Sequence, residues 1–289
     1  LTKNADSASA LSAFFYTNEG LIMHASRALC RRAALAGGLA GFLSLAAPRA
    51  GAAPDDKNLE RFIKMRGALD GRLVIGGVTG AYYGAVNGRV TPLFGLVSAV
   101  FSHYQAQNGA YQLTEFEQAY YTDLETGKAL THWQNPYTHE IVTVPVYSAP
   151  AARSFINADL QFHASAPTPP NVQVAHFVQG PEISADEITF IERVAVRVAP
   201  SAGKPAFDYQ DQTSLTAQLS DVDQPDTRMT GSKTRFAAVC SWRPWLNMGA
   251  RPGHMTASGQ GSFGIALADL PAAWREATAR LRPELLKQE

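Results

Sequence analysis

Apolar residues recur along this chain with two different periods, and the change from one to the other organises it. Across 55–69, Leu59, Phe62, Ile63 and Leu69 follow the repeat of a helix face, and Asp55 or Asp56 stands where an N-cap is needed. From Gly76 onward the repeat is two, punctuated by turn residues. Strands are expected over 78–86 and 90–105, joined at Asn87-Gly88, and over 110–123 after Asn108-Gly109. Both dipeptides suit a two-residue hairpin, whose central positions need positive φ. Strands over 129–133 and 141–147 flank the loop Asn135-Pro136-Tyr137-Thr138. Two more are expected over 172–178 and 187–198, then a polar linker over 199–211, then strands over 213–219, 234–242 and 255–263. Asp269-Leu270-Pro271 opens a C-terminal helix with Trp274 and Leu281 on one side.

Successive strands with short turns imply a mostly β fold, an antiparallel meander. Its edges need a solution, and closure is the common one for a meander. The expected architecture is a barrel-like, lipocalin-like single domain with short N- and C-terminal helices. A curved open sheet clasped by those helices is the competing arrangement. A barrel of about eight to ten strands has room for one small ligand.

Before the helix the pattern is that of an address. Arg27, Arg31 and Arg32 precede an apolar Ala/Gly-rich run over 33–47, and Ala50-Gly51-Ala52 offers the small residues of a cleavage site. Arg31-Arg32 followed by Leu35 resembles a twin-arginine signal. The run is shorter than the roughly 20 residues of a spanning helix. The expected division is therefore an untranslated or disordered upstream segment over 1–22, a signal peptide over 23–52 and one β-rich domain over 53–289. The product would be periplasmic or secreted, a client of the twin-arginine export machinery, with no stable membrane insertion after cleavage.

Composition changes this picture little. Lys+Arg and Asp+Glu number 25 each, so no net charge draws the whole chain toward nucleic acid. Cysteines occur only at Cys30 and Cys240; with Cys30 in the removed segment, no internal disulfide is expected. Cys240 alternates with Phe236, Ala238 and Trp242 and reads as a core thiol.

Candidate chemistry rests on acids and aromatics. Glu115 and Glu117 share one strand face, about 7 Å apart by strand rise. They stand either on a solvated face or in a cavity, where two carboxyls push one pKa up and supply an acid and a base. Glu192 shares a face with Ile188, Phe190, Val194, Val196 and Val198. Burial there is costly, so a bulge that turns it outward, an arginine partner or a functional role is implied. The histidines, His103 among them, lack metal-site spacing, and no metal or cofactor is expected. There is no Gly-x-Ser-x-Gly elbow, phosphate-binding glycine loop or Cys-x-x-Cys. Trp133, Asn135, Tyr137, Trp242 and Trp245 fall in two stretches that suit either a barrel mouth or plain core.

The order of features from Arg66 to Gly264 resembles the family known as domain of unknown function 1838. The resemblance is carried by Gly88 to Phe94-Gly95, Glu115 to Asp123, Leu124-Glu125-Thr126-Gly127-Lys128-Ala129-Leu130, Trp133-Gln134-Asn135-Pro136 and Trp242 to Gly249. It implies a β-rich fold and no particular chemistry. From the residues, the leading expectation is a protein that binds a small, largely apolar or aromatic molecule. Trp133, Asn135, Tyr137, Trp242 and Trp245 would form its rim, and Tyr83, His103, Glu115, Glu117 and Glu192 its interior polar groups. A cofactor-free enzyme using Glu115, Glu117 or Glu192 as general acid or base is the alternative, and a structural protein with a filled core the third reading.

Overall fold

The computed structural model describes residues 56–201 and 205–287. The expected signal peptide, the segment before it, Cys30, Asp55 and part of the 199–211 linker lie outside the described residues. The N-terminal helix α1 (Asp56–Arg66) leads into β1 (Val74–Val86), β2 (Arg89–Gln107) and β3 (Ala110–Thr122). A separate small hairpin, β4 (His132–Gln134) and β5 (Ile141–Thr143), interrupts the meander. The chain then continues through β6 (Tyr147–Ile156), β7 (Phe162–Ala164), β8 (Val172–Ser184), β9 (Glu187–Val198) and β10 (Phe207–Gln218). After a turn of helix, α2 (Leu219–Val222), come β11 (Ser232–Cys240), β12 (His254–Ile265) and α3 (Ala272–Leu281).

Apart from the β4–β5 excursion, successive strands pair antiparallel except β7 with β8, and the first strand pairs antiparallel with the last, giving the order β7-β6-β3-β2-β1-β12-β11-β10-β9-β8. A bridge from Gln161 to Phe177, and the Val178 N–H donating to the Leu160 carbonyl at 2.9 Å, bring the two edges together. The result is a nearly closed ten-stranded barrel, the expected architecture rather than the open sheet. Asn87 and Gly88 take φ of 49° and 76°, and Asn108 and Gly109 51° and 77°, as their hairpins require.

Three expectations, two on strands and one on a helix, change. The expected strand over 141–147 divides between β5 and β6, and neither β6 nor β7 was legible. β6 carries Pro150 and little β-branched sequence; pairing with β3 holds it extended, and the proline sits where the register slips opposite Phe116. The strand expected over 213–219 begins at Phe207, so Asp211 lies inside it rather than in a linker. In α3, Trp274 is fully buried and Leu281 is exposed, so the two do not share a buried side.

The barrel interior is layered along its axis. At one end Phe62, Ile63 and Met65 of α1 pack on Tyr104, Leu113, Phe190 and Leu215. At the other, Tyr82, Phe94, Tyr121, Ala238, Cys240 and Met255 pack under Leu246 and Met248. A third cluster lies outside the wall, where Trp274 covers Val97, Ala99, Phe101 and Tyr120. Trp274 Nε1 donates to the Gln118 carbonyl at 2.8 Å. Polar side chains concentrate between the two interior layers. Among the described residues no helix is long and apolar enough to cross a membrane.

Candidate functional site

The strand period of two decides which side chains meet at mid-height. On β3, Glu115 and Glu117 follow Leu113 inward and precede Ala119 and Tyr121. Ser98 and Ser102 of β2, His176 of β8, Glu192 and Val194 of β9, and Tyr209, Asp211 and Thr213 of β10 face the same space. They surround a chamber of about 190 Å³. Ala164 and Arg153 also line it and are themselves exposed, so the chamber reaches solvent at the β6–β7 wall.

In the half of this belt nearer α1 the charged side chains are engaged with one another, while the buried Tyr104 hydroxyl beside them has no partner. Arg66, the last residue of α1, is carried inside as the helix plugs the barrel. Its Nε donates to Glu192 Oε2 at 3.1 Å, Nη1 to Ser102 Oγ at 2.7 Å and Nη2 to Glu115 Oε2 at 2.6 Å. The guanidinium carbon lies 3.9 Å above the Phe263 ring centroid. Gly76 makes room for that ring, since a Cβ there would come within 2.2 Å of it. Ser102 Oγ donates onward to Glu115 Oε2 at 3.0 Å. The other Glu192 oxygen is 2.7 Å from His176 Nε2, and Phe162 stacks on the imidazole at 3.8 Å. Burial alone would push the Glu192 carboxyl up; Arg66 and His176 outweigh it and hold the pKa at about 2. Of the three readings of Glu192, the structure thus shows an arginine partner and no outward bulge.

The half nearer the other end is under-engaged. Burial raises the Glu117 carboxyl to about 7, even though Ser98 Oγ donates to it and Arg243 and Arg66 oppose the rise. Asp211 is also raised to about 7 by burial, with Glu192, Glu117 and Glu115 adding to the rise and the Tyr209 hydroxyl donating to it at 2.7 Å. Arg243 sits just before the 3-10 turn Pro244–Leu246 and reaches back into the chamber. It lies 5.6 and 5.7 Å from the Phe207 and Tyr209 ring centroids. Its Nε has no hydrogen-bond partner, and no carboxylate stands within ion-pair distance of it among the described residues. Burial pushes the hydroxyls of Tyr82, Tyr121, Tyr147 and Tyr209 up, so these side chains stay protonated.

Of the expected site residues, Glu115, Glu117 and Glu192 line the chamber. Tyr83 and His103 do not: each is one residue from an inward side chain, Tyr82 or Ser102, and so stands on the outer face. Trp133, Asn135, Tyr137, Trp242 and Trp245 form a plug rather than an open rim. Asn135 is fully buried, and its Nδ2 donates to the Leu246 carbonyl at 2.7 Å. Its Oδ1 accepts from the Tyr137 N–H at 2.9 Å. Trp133 and Trp245 each lie 5.3 Å from Phe94 between ring centroids, and Tyr137 lies 5.4 Å from Trp242. The plug shuts the end where a mouth was expected.

Sequence reasoning missed Arg66, His176, Asp211 and Arg243 as members of the belt. Asp211 could have been found, because Tyr209, Asp211, Thr213 and Leu215 alternate inward once the strand starts at Phe207. Arg66 was legible only indirectly, as the cation that a buried Glu192 demands. Arg243 follows the end of β11, where the period that places Cys240 inward no longer applies. No cluster of three or more His, Cys, Asp or Glu side chains is placed to hold a metal among the described residues.

No curated protein and no solved structure matches this chain. The model of the family described as protein of unknown function (DUF1838) matches residues 77–287, which takes in all of the barrel but the first three residues of β1, and the chain belongs to that family.

Proposed function

We propose that this protein binds a small molecule inside the barrel, in the chamber between the Arg66 cluster and the aromatic plug. One observation carries the reading: Glu117, Asp211 and Arg243 face an internal space with fewer partners than buried polar groups ordinarily keep. A core built only for stability gains nothing from such groups, since apolar side chains of similar volume serve as well or better. A chamber of about 190 Å³ suits a molecule of one ring, given that an apolar cavity of about 150 Å³ accepts benzene. Tyr82, Tyr121 and Tyr209 offer apolar faces to such a ring, and the way in is the β6–β7 wall beside Ala164. The aromatic plug, in this reading, holds Arg243 in position and does not touch the ligand. Location follows the N-terminal pattern: the chain is exported by the twin-arginine route, and replacing Arg31 and Arg32 by Lys stops export.

Binding is tested by ligand-observed NMR with single-ring fragments on the protein and on Val194→Trp, which fills the chamber. Fragments should bind the first and not the second, with the variant still folded by circular dichroism. Fragments that bind both equally, or neither, would refute the chamber as a site.

A second reading has its own support. Glu117 and Asp211 are held near neutrality, where a carboxyl can both give and take a proton, as a general acid–base catalyst must. A catalyst should keep fragment binding in Glu117→Gln and lose turnover, whereas a binder shows only a change in affinity.

A further inference from the structure

The charges around the chamber are not equivalent, and their inequality selects a ligand class. Glu115 and Glu192 are committed to Arg66, with Ser102 and His176 taking up further oxygens. Two carboxyls, Glu117 and Asp211, and two guanidiniums, Arg243 inside and Arg153 at the opening, remain facing the space. A carboxyl in a poorly hydrated site can take a proton and become neutral. A guanidinium cannot give one up, so Arg243 stays a cation whatever surrounds it. Among the described residues, the permanent charges lining the chamber without a counter-charge in ion-pair contact, Arg243 inside and Arg153 at the opening, are therefore both positive. Arg153, exposed at the β6–β7 opening, puts a second cation where a ligand would enter.

We propose that the chamber takes a small ring-bearing acid, whose carboxylate or comparable anionic oxygen group seats on the Arg243 guanidinium. The assignment rests on the chamber being a binding site. A planar guanidinium matches a carboxylate through two parallel N–H donors, a geometry an ammonium cannot reproduce. The ring lies among Tyr82, Tyr121 and Tyr209, of which Tyr209, with Phe207, flanks Arg243. Glu117 and Asp211, protonated, donate to the ligand rather than repel it. An amine of the same size would satisfy those two carboxyls but bring a second cation beside Arg243. A neutral amide would leave the guanidinium without a counter-ion.

The probes are benzoate, benzamide and benzylamine, titrated at pH 6 into the full protein and followed by ligand-observed NMR and calorimetry. Benzoate should bind at least tenfold more tightly than benzamide, and benzylamine most weakly. Arg243→Gln should abolish the preference for benzoate while benzamide affinity changes less than threefold; Arg243→Lys should keep part of it. Binding of benzamide or benzylamine as tight as that of benzoate would overturn the anion assignment and leave the chamber reading standing. A benzoate preference that survives in a folded Arg243→Gln would also overturn it. Binding of none of the three would overturn the assignment and the chamber reading together. The order of the three probes on the unaltered chain decides the matter even if the Gln variant fails to fold.

Discussion

The two halves of the polar belt are built from the same residue types and behave oppositely. Near α1, Arg66 serves two carboxylates and a hydroxyl at once, and Glu192 accepts from partners on both oxygens. Across the chamber, Arg243 has an Nε without a partner, and Glu117 and Asp211 each have one hydroxyl donor. A buried charge is tolerated when neighbours replace the water it lost. The first half meets that condition within the fold. The second falls short of it within the fold, and the proposed binding role rests on that difference.

The contrast can be broken from either side. The largest effect is expected at Arg66→Met, which strands Glu192 and Glu115 inside the barrel and should cost about 3–5 kcal/mol in urea unfolding. Acid should do part of the same work. The folded Glu192 pKa of about 2 lies below its ordinary 4.5, so its contribution is present above pH 4.5 and is lost as the pH falls from there toward 2. Glu192→Gln should be less stable at pH 7, with the gap from the parent narrowing through that window.

Next in size is Asn135→Ala. It removes a buried amide that ties the β4–β5 loop to Leu246, and about 1–3 kcal/mol of unfolding free energy should go with it. The plug also positions Arg243, so this variant should weaken benzoate more than benzamide.

Glu117 should show the reverse pH trend to Glu192. Its folded pKa of about 7 lies above the ordinary 4.5, so the folded state holds the proton longer than the unfolded one. Stability from this group is complete below pH 4.5 and declines as the pH rises to about 7. Glu117→Gln should remove that decline and be more stable than the parent at pH 8, measured as urea midpoints across the range. The smallest effect is expected at Arg243→Gln. No carboxylate is stranded by it, so stability should stay within about 1 kcal/mol, in contrast to Arg66→Met.

Much of the barrel was legible because local signals agreed with the fold. Asn87-Gly88 and Asn108-Gly109 set two hairpins, and alternation set β9 to its residue bounds. What escaped was non-local. β6 has no strand signature of its own and exists through its pairing with β3, and the plug could not be told from a mouth without knowing what Asn135 bonds to. The site was partly legible in the same way. Strand period placed Glu115, Glu117 and Glu192 on faces that the structure turns inward, and the oddity of an acid among apolar residues called for an arginine. It could not say that the arginine comes from α1, because a terminal helix residue has no period to reveal that its helix enters the barrel. Tyr83 and His103 were misplaced because each stands beside an inward residue of similar character, a one-residue ambiguity that only the register resolves.

The most direct test of the difference between the two halves is a benzoate titration followed by backbone amide and arginine Nε–H NMR shifts. Saturable shifts are expected at Ser98, Glu117, Asp211 and the Arg243 Nε–H, with Ser102, Glu192 and the Arg66 Nε–H nearly still. Shifts centred on Arg66 and Glu192, or confined to the outer surface, would contradict it.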